Sequence, residues 1–230
     1  VELEVAFVKN VLILDTETTG LDPKTGHLLE VGAVLWSVKY RSIVRVFSTL
    51  YPANGNPAES VNGIPASLLL EQKGGPDALA SFEVLQEMVV EADAVVAHNA
   101  DFDRQWYPLS CPWICTIEDF VWPKPSPSKS LTALALAHGC AVVSAHRAIH
   151  DCLLLARCFE AIPDVDARLD AALRHALLPK VEVISLAPFE EKDVVKEHGF
   201  HWDPARKVWH RTMALADAEK LPFRTRAAAK

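Results

Sequence analysis

The chain has no apolar run approaching the ~20 residues that a bilayer span requires, and no charged-then-apolar leader opens it. Neither a membrane protein nor a secreted one is expected. It also lacks an excess of basic charge: 23 Lys and Arg stand against 30 Asp and Glu, a formal charge of −7. That balance argues against a protein that coats long nucleic acid by charge alone, but leaves room for an enzyme that grips a few nucleotides at an end. The acidic excess lies ahead of Val181, and the remainder is nearly balanced. Zinc-like cysteine pairs are missing too. Cys111, Cys115, Cys140, Cys152 and Cys158 are odd in number and irregular in spacing, so reduced, mostly buried thiols in a cytoplasmic protein are expected.

What is present is apolar substance. At 230 residues and 50% hydrophobic, the chain can bury one sizeable core with a small appendage. The stretch that organises it is Val11-Leu12-Ile13-Leu14-Asp15-Thr16-Glu17-Thr18-Thr19-Gly20, a buried-strand pattern that ends in turn chemistry. Asp15 and Glu17 are two residues apart, so on a strand their carboxylates leave the same face. Crowded there, they repel each other and lose solvation, and a divalent cation between them relieves both costs. A solvated acidic pair at a strand end is the plainer alternative.

Two further strands follow, Leu28–Trp36 and Ile43–Phe47, as an antiparallel meander. Residues 52–76 form a turn-rich loop carrying a short helix near Ala66–Glu71, and Asp77–Ala92 is a helical crossover to the short apolar strand Ala94–Ala97. That strand runs into His98-Asn99-Ala100-Asp101-Phe102-Asp103, then a helix from Phe102 to about Leu109, which sets these polar groups at the sheet's carboxyl edge. Asn99 and Asp101 also suit turn and helix-cap duty, and spacing alone does not choose between Asp101 and Asp103. Trp113–Ile117 is a strand, Pro123–Ser128 a loop, and Ser130–Gly139 a helix between a capping serine and a terminating glycine. The third polar stretch, Ser144-Ala145-His146-Arg147-Ala148-Ile149-His150-Asp151, leads into the helix Cys152–Phe159. Inside one helix His146 and Asp151 would lie ~140° apart, so they share a site only if His146 stands before it or in its first residues.

In order and spacing the three stretches resemble the DEDDh exonucleases, the family of the proofreading epsilon subunit of bacterial DNA polymerase III. The likeness covers roughly residues 10–162. It implies an α/β, RNase-H-like mixed sheet (antiparallel meander plus parallel strands) flanked by helices over residues 1–178, and a 3′–5′ exonuclease releasing nucleoside monophosphates from single-stranded or frayed DNA. It also implies two Mg²⁺ or Mn²⁺ ions held by Asp15, Glu17, Asp103 and Asp151, with His146 as general base. Thr18, Thr19, Leu21, Ile64 and Asn99 become contacts to the terminal nucleotide, and a polymerase or repair protein becomes a partner. Arg147 stands where the tyrosine variant of the family would need its tyrosine. An RNA-trimming exoribonuclease and a non-catalytic interaction module are the alternatives.

Residues 179–230 read as a separate β-α-β-β accessory module: the strand Val181–Ser185, a helix over Glu190–His198, and a hairpin around Asp203-Pro204. Trp202 and Trp209, with Arg206, Lys207 and Arg211, suit either the module's core or contacts to single-stranded nucleic acid.

Overall fold

A computed structural model describes residues 7–72, 78–143 and 146–228, in two compact units divided between Ala176 and Leu177. In the first unit, β1 (Asn10–Thr18), β2 (Leu28–Ser37) and β3 (Ser42–Leu50) form the expected meander. The short helices α1 (Glu59–Asn62) and α2 (Ala66–Glu71) follow, and α3 (Ala78–Glu91) leads to β4 (Ala94–Ala97), which pairs parallel with β1. Next come α4 (Ala100–Trp106), β5 (Trp113–Cys115), α5 (Leu131–Ala137), α6 (Ala148–Glu160) and α7 (Val165–Ala176). The result is a five-stranded mixed sheet in the order β3-β2-β1-β4-β5.

Strand alternation sorts the core into two layers. Val11 and Ile13 of β1, with Val34 and Trp36 of β2, face Cys152, Leu155, Ala156 and Phe159 of α6 and the apolar stripe of α7. Leu12, Leu14, Ala33 and Leu35 face the other way, onto Leu85 and Met88 of α3. With both faces covered, the central strands carry the near-continuous apolar runs seen in the sequence.

The α6 layer fits more closely than apolar packing alone requires. A Cβ at Gly32 would run into the backbone of Ala148 and Ile149, so the bare glycine lets the first turn of α6 press onto β2. At the other end, Arg41 in the β2–β3 turn donates to the carbonyl oxygens of Glu160 and Pro163 at 2.7 and 3.0 Å, and also reaches those of Phe159 and Ile162. One hairpin therefore grips α6 at both ends.

The second unit is a four-stranded antiparallel sheet. Its strands are β6 (Lys180–Ser185), β7 (His201–Asp203), β8 (Val208–Ala214) and β9 (Thr225–Ala227), in the order β7-β8-β6-β9. A 3₁₀ turn at Phe189–Glu191 leads into α8 (Lys192–Glu197), and α9 (Leu215–Ala218) follows β8. The expected β-α-β-β pattern is present, with α9 and β9 added. Val183, Val195, Phe200, Met213, Ala218 and Phe223 form its core.

All five cysteines are free thiols, and Cys115, Cys152 and Cys158 are buried. No helix among the described residues is long and apolar enough to cross a membrane.

Candidate active site

Asp15 and Glu17 sit at the carboxyl end of β1, where the meander and the parallel strands diverge. Their side chains leave the face that α6 covers, and Asp151, in the first turn of α6, meets them there. Carboxylate oxygens of Asp15, Glu17 and Asp151 lie within 4.8 Å of one another, the one such cluster among the described residues. Asp103 arrives from α4 on the opposite side of β1. It is 2% exposed and accepts a 2.8 Å hydrogen bond from the Thr16 hydroxyl. It stands beside the three-way cluster rather than within it, yet its charge acts on Asp15.

The electrostatic state of this cluster is its main chemical property. Burial first, then the neighbouring Asp103, Asp151, Glu17 and Glu30, push the Asp15 carboxyl far above the usual range. Burial and the Asp151 charge push Glu17 up to about 8. Burial pushes Asp103 to about 7 against the opposing pull of Thr16, and Asp151 is raised too, again chiefly by burial. Four crowded oxygen acids that resist ionisation are a poor structural feature and a good hard-cation site. The donor set, oxygen throughout, fits a divalent metal.

His146 lies two residues ahead of α6, exposed, in the left-handed conformation at φ 61°. Its backbone N–H donates to Asp151 Oδ2 at 3.1 Å, which brings the histidine to the rim of the cluster. The five-residue spacing from Asp151 is thus spent outside the helix, as one site for both residues requires. Asp101 is less involved. It is exposed, pairs with Arg104, and lies inside the first turn of α4 rather than at its cap, a position that falls to Asn99 at φ 76°.

The nucleotide-contact candidates divide. Leu21 is 85% exposed beside the cluster's strand, and Asn99 is exposed at the start of α4. The Thr18 hydroxyl donates to the Gly20 carbonyl, and the Thr19 hydroxyl accepts from the His27 amide, so both shape the turn after β1. Ile64 is wholly enclosed against Leu29, Ala53 and Leu69 and presents no surface to a ligand. It anchors the loop from inside.

Sequence reasoning passed over Glu30. This carboxylate lies opposite Glu17 in the β1–β2 register and is fully buried. Arg147 clamps it with two 2.9 Å bonds, and the Ala148 amide donates a third at 3.1 Å. Glu30 thereby fixes the first turn of α6, and with it Asp151 and His146. Its signal in the sequence was an acid inside an otherwise apolar strand. Glu30→Gln keeps the shape but weakens the fork, and we expect kcat to fall about 10- to 100-fold with KM nearly unchanged. A variant with wild-type kcat in steady-state assays would show that α6 holds its place without the clamp.

With the geometry in hand, comparison with known proteins is direct. The sequence model of a family described as exonuclease matches residues 12–159, which span all three motifs. The chain belongs to that exonuclease family. Among curated relatives, the DNA polymerase III PolC-type of Thermotoga maritima is 30% identical over 117 residues. That match covers 50% of this chain but 8% of the polymerase, so the chain corresponds to a small part of it. The DNA polymerase III subunit epsilon of Treponema pallidum is 28% identical over 185 residues, 73% of this chain and 83% of the subunit. Among solved structures, Exonuclease X in complex with 5′-overhanging duplex DNA superposes with a TM-score of 0.54 at 25% identity, over 70% of this chain and 97% of that chain. The expected relation to the epsilon-like DEDDh group and the expected RNase-H-like fold both hold. Residues 185–227 match a second model, described as a domain of unknown function (DUF8626).

Proposed function

We propose that the protein is a metal-dependent 3′–5′ exonuclease that removes nucleoside monophosphates from single-stranded or frayed DNA. The observation that carries this reading is the convergence of Asp15, Glu17 and Asp151, flanked by Asp103, beside an exposed histidine. Asp15, Glu17, Asp103 and Asp151 would hold two divalent cations, Mg²⁺ or Mn²⁺. Such cations supply charge stabilisation of the phosphorane-like transition state and a more acidic attacking water. His146 takes the proton of that water at an imidazole nitrogen, the role most often filled by histidine in general base catalysis. The water oxygen bonds to phosphorus as the bond to the preceding nucleotide's 3′ oxygen breaks. A nucleoside 5′-monophosphate leaves, and the strand's 3′ oxygen takes a proton from solvent to become the new 3′ hydroxyl. Leu21, exposed beside the strand end, offers an apolar surface to the terminal nucleotide, and Asn99 an amide. Likeness to the epsilon subunit supports DNA as substrate and a polymerase as partner.

The test is digestion of end-labelled DNA and RNA strands, single and duplex, with Mg²⁺, Mn²⁺ or EDTA. We expect stepwise release of mononucleotides from the 3′ end of DNA with either metal and none with EDTA. Release of oligonucleotides, or undiminished cleavage in EDTA, would overturn the reading, and faster trimming of RNA would reassign the substrate. The two aspartates of the second motif give a finer check. Asp103→Asn should remove most activity at fixed Mg²⁺ by withdrawing a charge from the cluster. Asp101→Asn, which loses only an exposed pair with Arg104, should keep kcat within a few fold. An inactive Asp101→Asn beside an active Asp103→Asn would reverse the assignment.

A further inference from the structure

The exonuclease reading uses nothing in the second unit, yet its surface carries an unusual feature. Trp202 and Trp209 are direct cross-strand partners on β7 and β8, so both rings leave the same face of the hairpin. Their centroids are 5.5 Å apart at an interplanar angle of 53°. Trp202 is 47% exposed, and the unit's core of Val183, Val195, Phe200, Met213, Ala218 and Phe223 closes without it. Trp209 only borders that core. The indole face of Trp202 is therefore open to a ligand.

Cations alternate with these rings. Lys196 of α8 sits over the Trp209 ring at 5.7 Å, and one turn earlier Lys192 sits over the exposed Phe189 ring at 4.4 Å. Lys196 also faces Asp193 at 3.6 Å, an exposed pair that solvent screens and a phosphate can displace. Lys207 occupies the β7–β8 turn, exposed, at φ 55°, and forms no ion pair among the described residues. The two arginines that the sequence offered for this role are committed elsewhere. Arg206 is held by Glu182 and Asp203, and Arg211 donates to the His198 carbonyl oxygen at 2.6 Å. A protein partner favours a contiguous apolar patch with few charges at its centre. Aromatic faces with exposed lysines beside them instead match a strand whose bases stack while its phosphates are neutralised.

We propose that Trp202 and Trp209, with Lys196 and Lys207, form a platform for unpaired nucleobases and their phosphates, a strand-binding site built by the second unit alone. The substrate class rests on the nucleic-acid reading of the nuclease cleft, but binding to the platform does not require cleavage. The test uses the full chain in EDTA and fluorescence anisotropy with two labelled probes, oligo-dT and oligo-U. A third probe, a covalently closed single-stranded DNA circle, presents no end to the cleft. Trp202→Ala should weaken binding of the circle about tenfold, the scale of one lost stacking contact. Trp202→Phe should restore most of it. Lys207→Gln should flatten the dependence of log Kd on log salt by about 0.7, the contribution of one phosphate on a single strand. With Mg²⁺ restored, Trp202→Ala should raise KM for a linear strand and leave kcat unchanged. Equal affinity of wild type and folded Trp202→Ala for the circle overturns the platform and assigns the indole to a protein contact. Such a result in an active nuclease leaves the exonuclease reading standing. Trp202-dependent binding in a protein that cleaves nothing has the opposite meaning. Comparing oligo-dT with oligo-U separates DNA from RNA as the strand bound.

Discussion

Asp15→Ala should abolish turnover and, in EDTA at pH 8, raise the thermal midpoint. The two effects have one cause. Asp15 is the carboxylate on which Asp103, Asp151, Glu17 and Glu30 all press, at a site where burial already opposes its charge. Removing it relieves that crowding in the metal-free protein and deletes the ligand at the centre of the metal site. The pH dependence follows from the same groups. Glu17 is held near 8 and Asp103 near 7, both above their values in an unfolded chain. Below the ordinary carboxylate range, folded and unfolded chains are equally protonated, and the stabilising contribution of these groups is complete. As pH rises from about 4 through about 8, the unfolded chain releases those protons first, so metal-free stability falls across that window. Mg²⁺ replaces the protons, and its stabilising shift in midpoint should therefore grow with pH and saturate above about 8. Differential scanning fluorimetry with and without Mg²⁺, from pH 5 to pH 9, measures all of this. Robust cleavage by folded Asp15→Ala, or a Mg²⁺ shift equal to that of wild type, would sink the metal-site assignment.

His146→Ala should lower kcat by roughly 10²–10⁴, the range for a lost general base. The Mg²⁺-dependent shift in midpoint should survive, because the histidine touches Asp151 through its backbone amide, which alanine retains. His146 has a positive φ, which alanine tolerates less well, so His146→Asn is the companion variant that accepts this backbone more readily. Both should be slow and both should bind metal. His150→Ala, on the exposed side of the first turn of α6, should keep kcat within a few fold. An exchange of effects between the two histidines would move the catalytic base to position 150.

Much of this architecture is legible in the sequence because its signals are local. The apolar runs before Asp15 and His98 mark β1 and β4, and Ser130 caps α5 by accepting the Ala133 amide, as its position predicts. The five residues assigned to chemistry come from motif spacing, which survives any uncertainty in element ends. What escaped is set by tertiary contact. Helix α6 starts at Ala148 rather than Cys152 because buried Glu30 holds its first turn, and nothing within residues 148–151 announces that. Strand β9 is three residues long, too short for periodicity, and exists by pairing with β6. Helix α7 is the exception, absent from the expected elements although its signal is local: Val165, Leu169, Ala172 and Leu173 repeat at helical spacing and are buried against the sheet. Ile64 shows the converse, since an apolar residue in a loop can be a ligand contact or an anchor, and burial alone distinguishes them.

The hairpin that grips α6 at both ends also orders events during synthesis. Glu30 and Arg41 emerge from the ribosome more than a hundred residues before the groups they hold, Arg147 at one end and the carbonyls of residues 159–163 at the other. Such distant pairings form late, after the local meander has closed. A nascent chain halted ahead of Arg147 carries Asp15, Glu17 and Asp103 but neither Asp151 nor a helix to present it. The cluster of Asp15, Glu17 and Asp151 is therefore complete only once α6 has docked on the sheet.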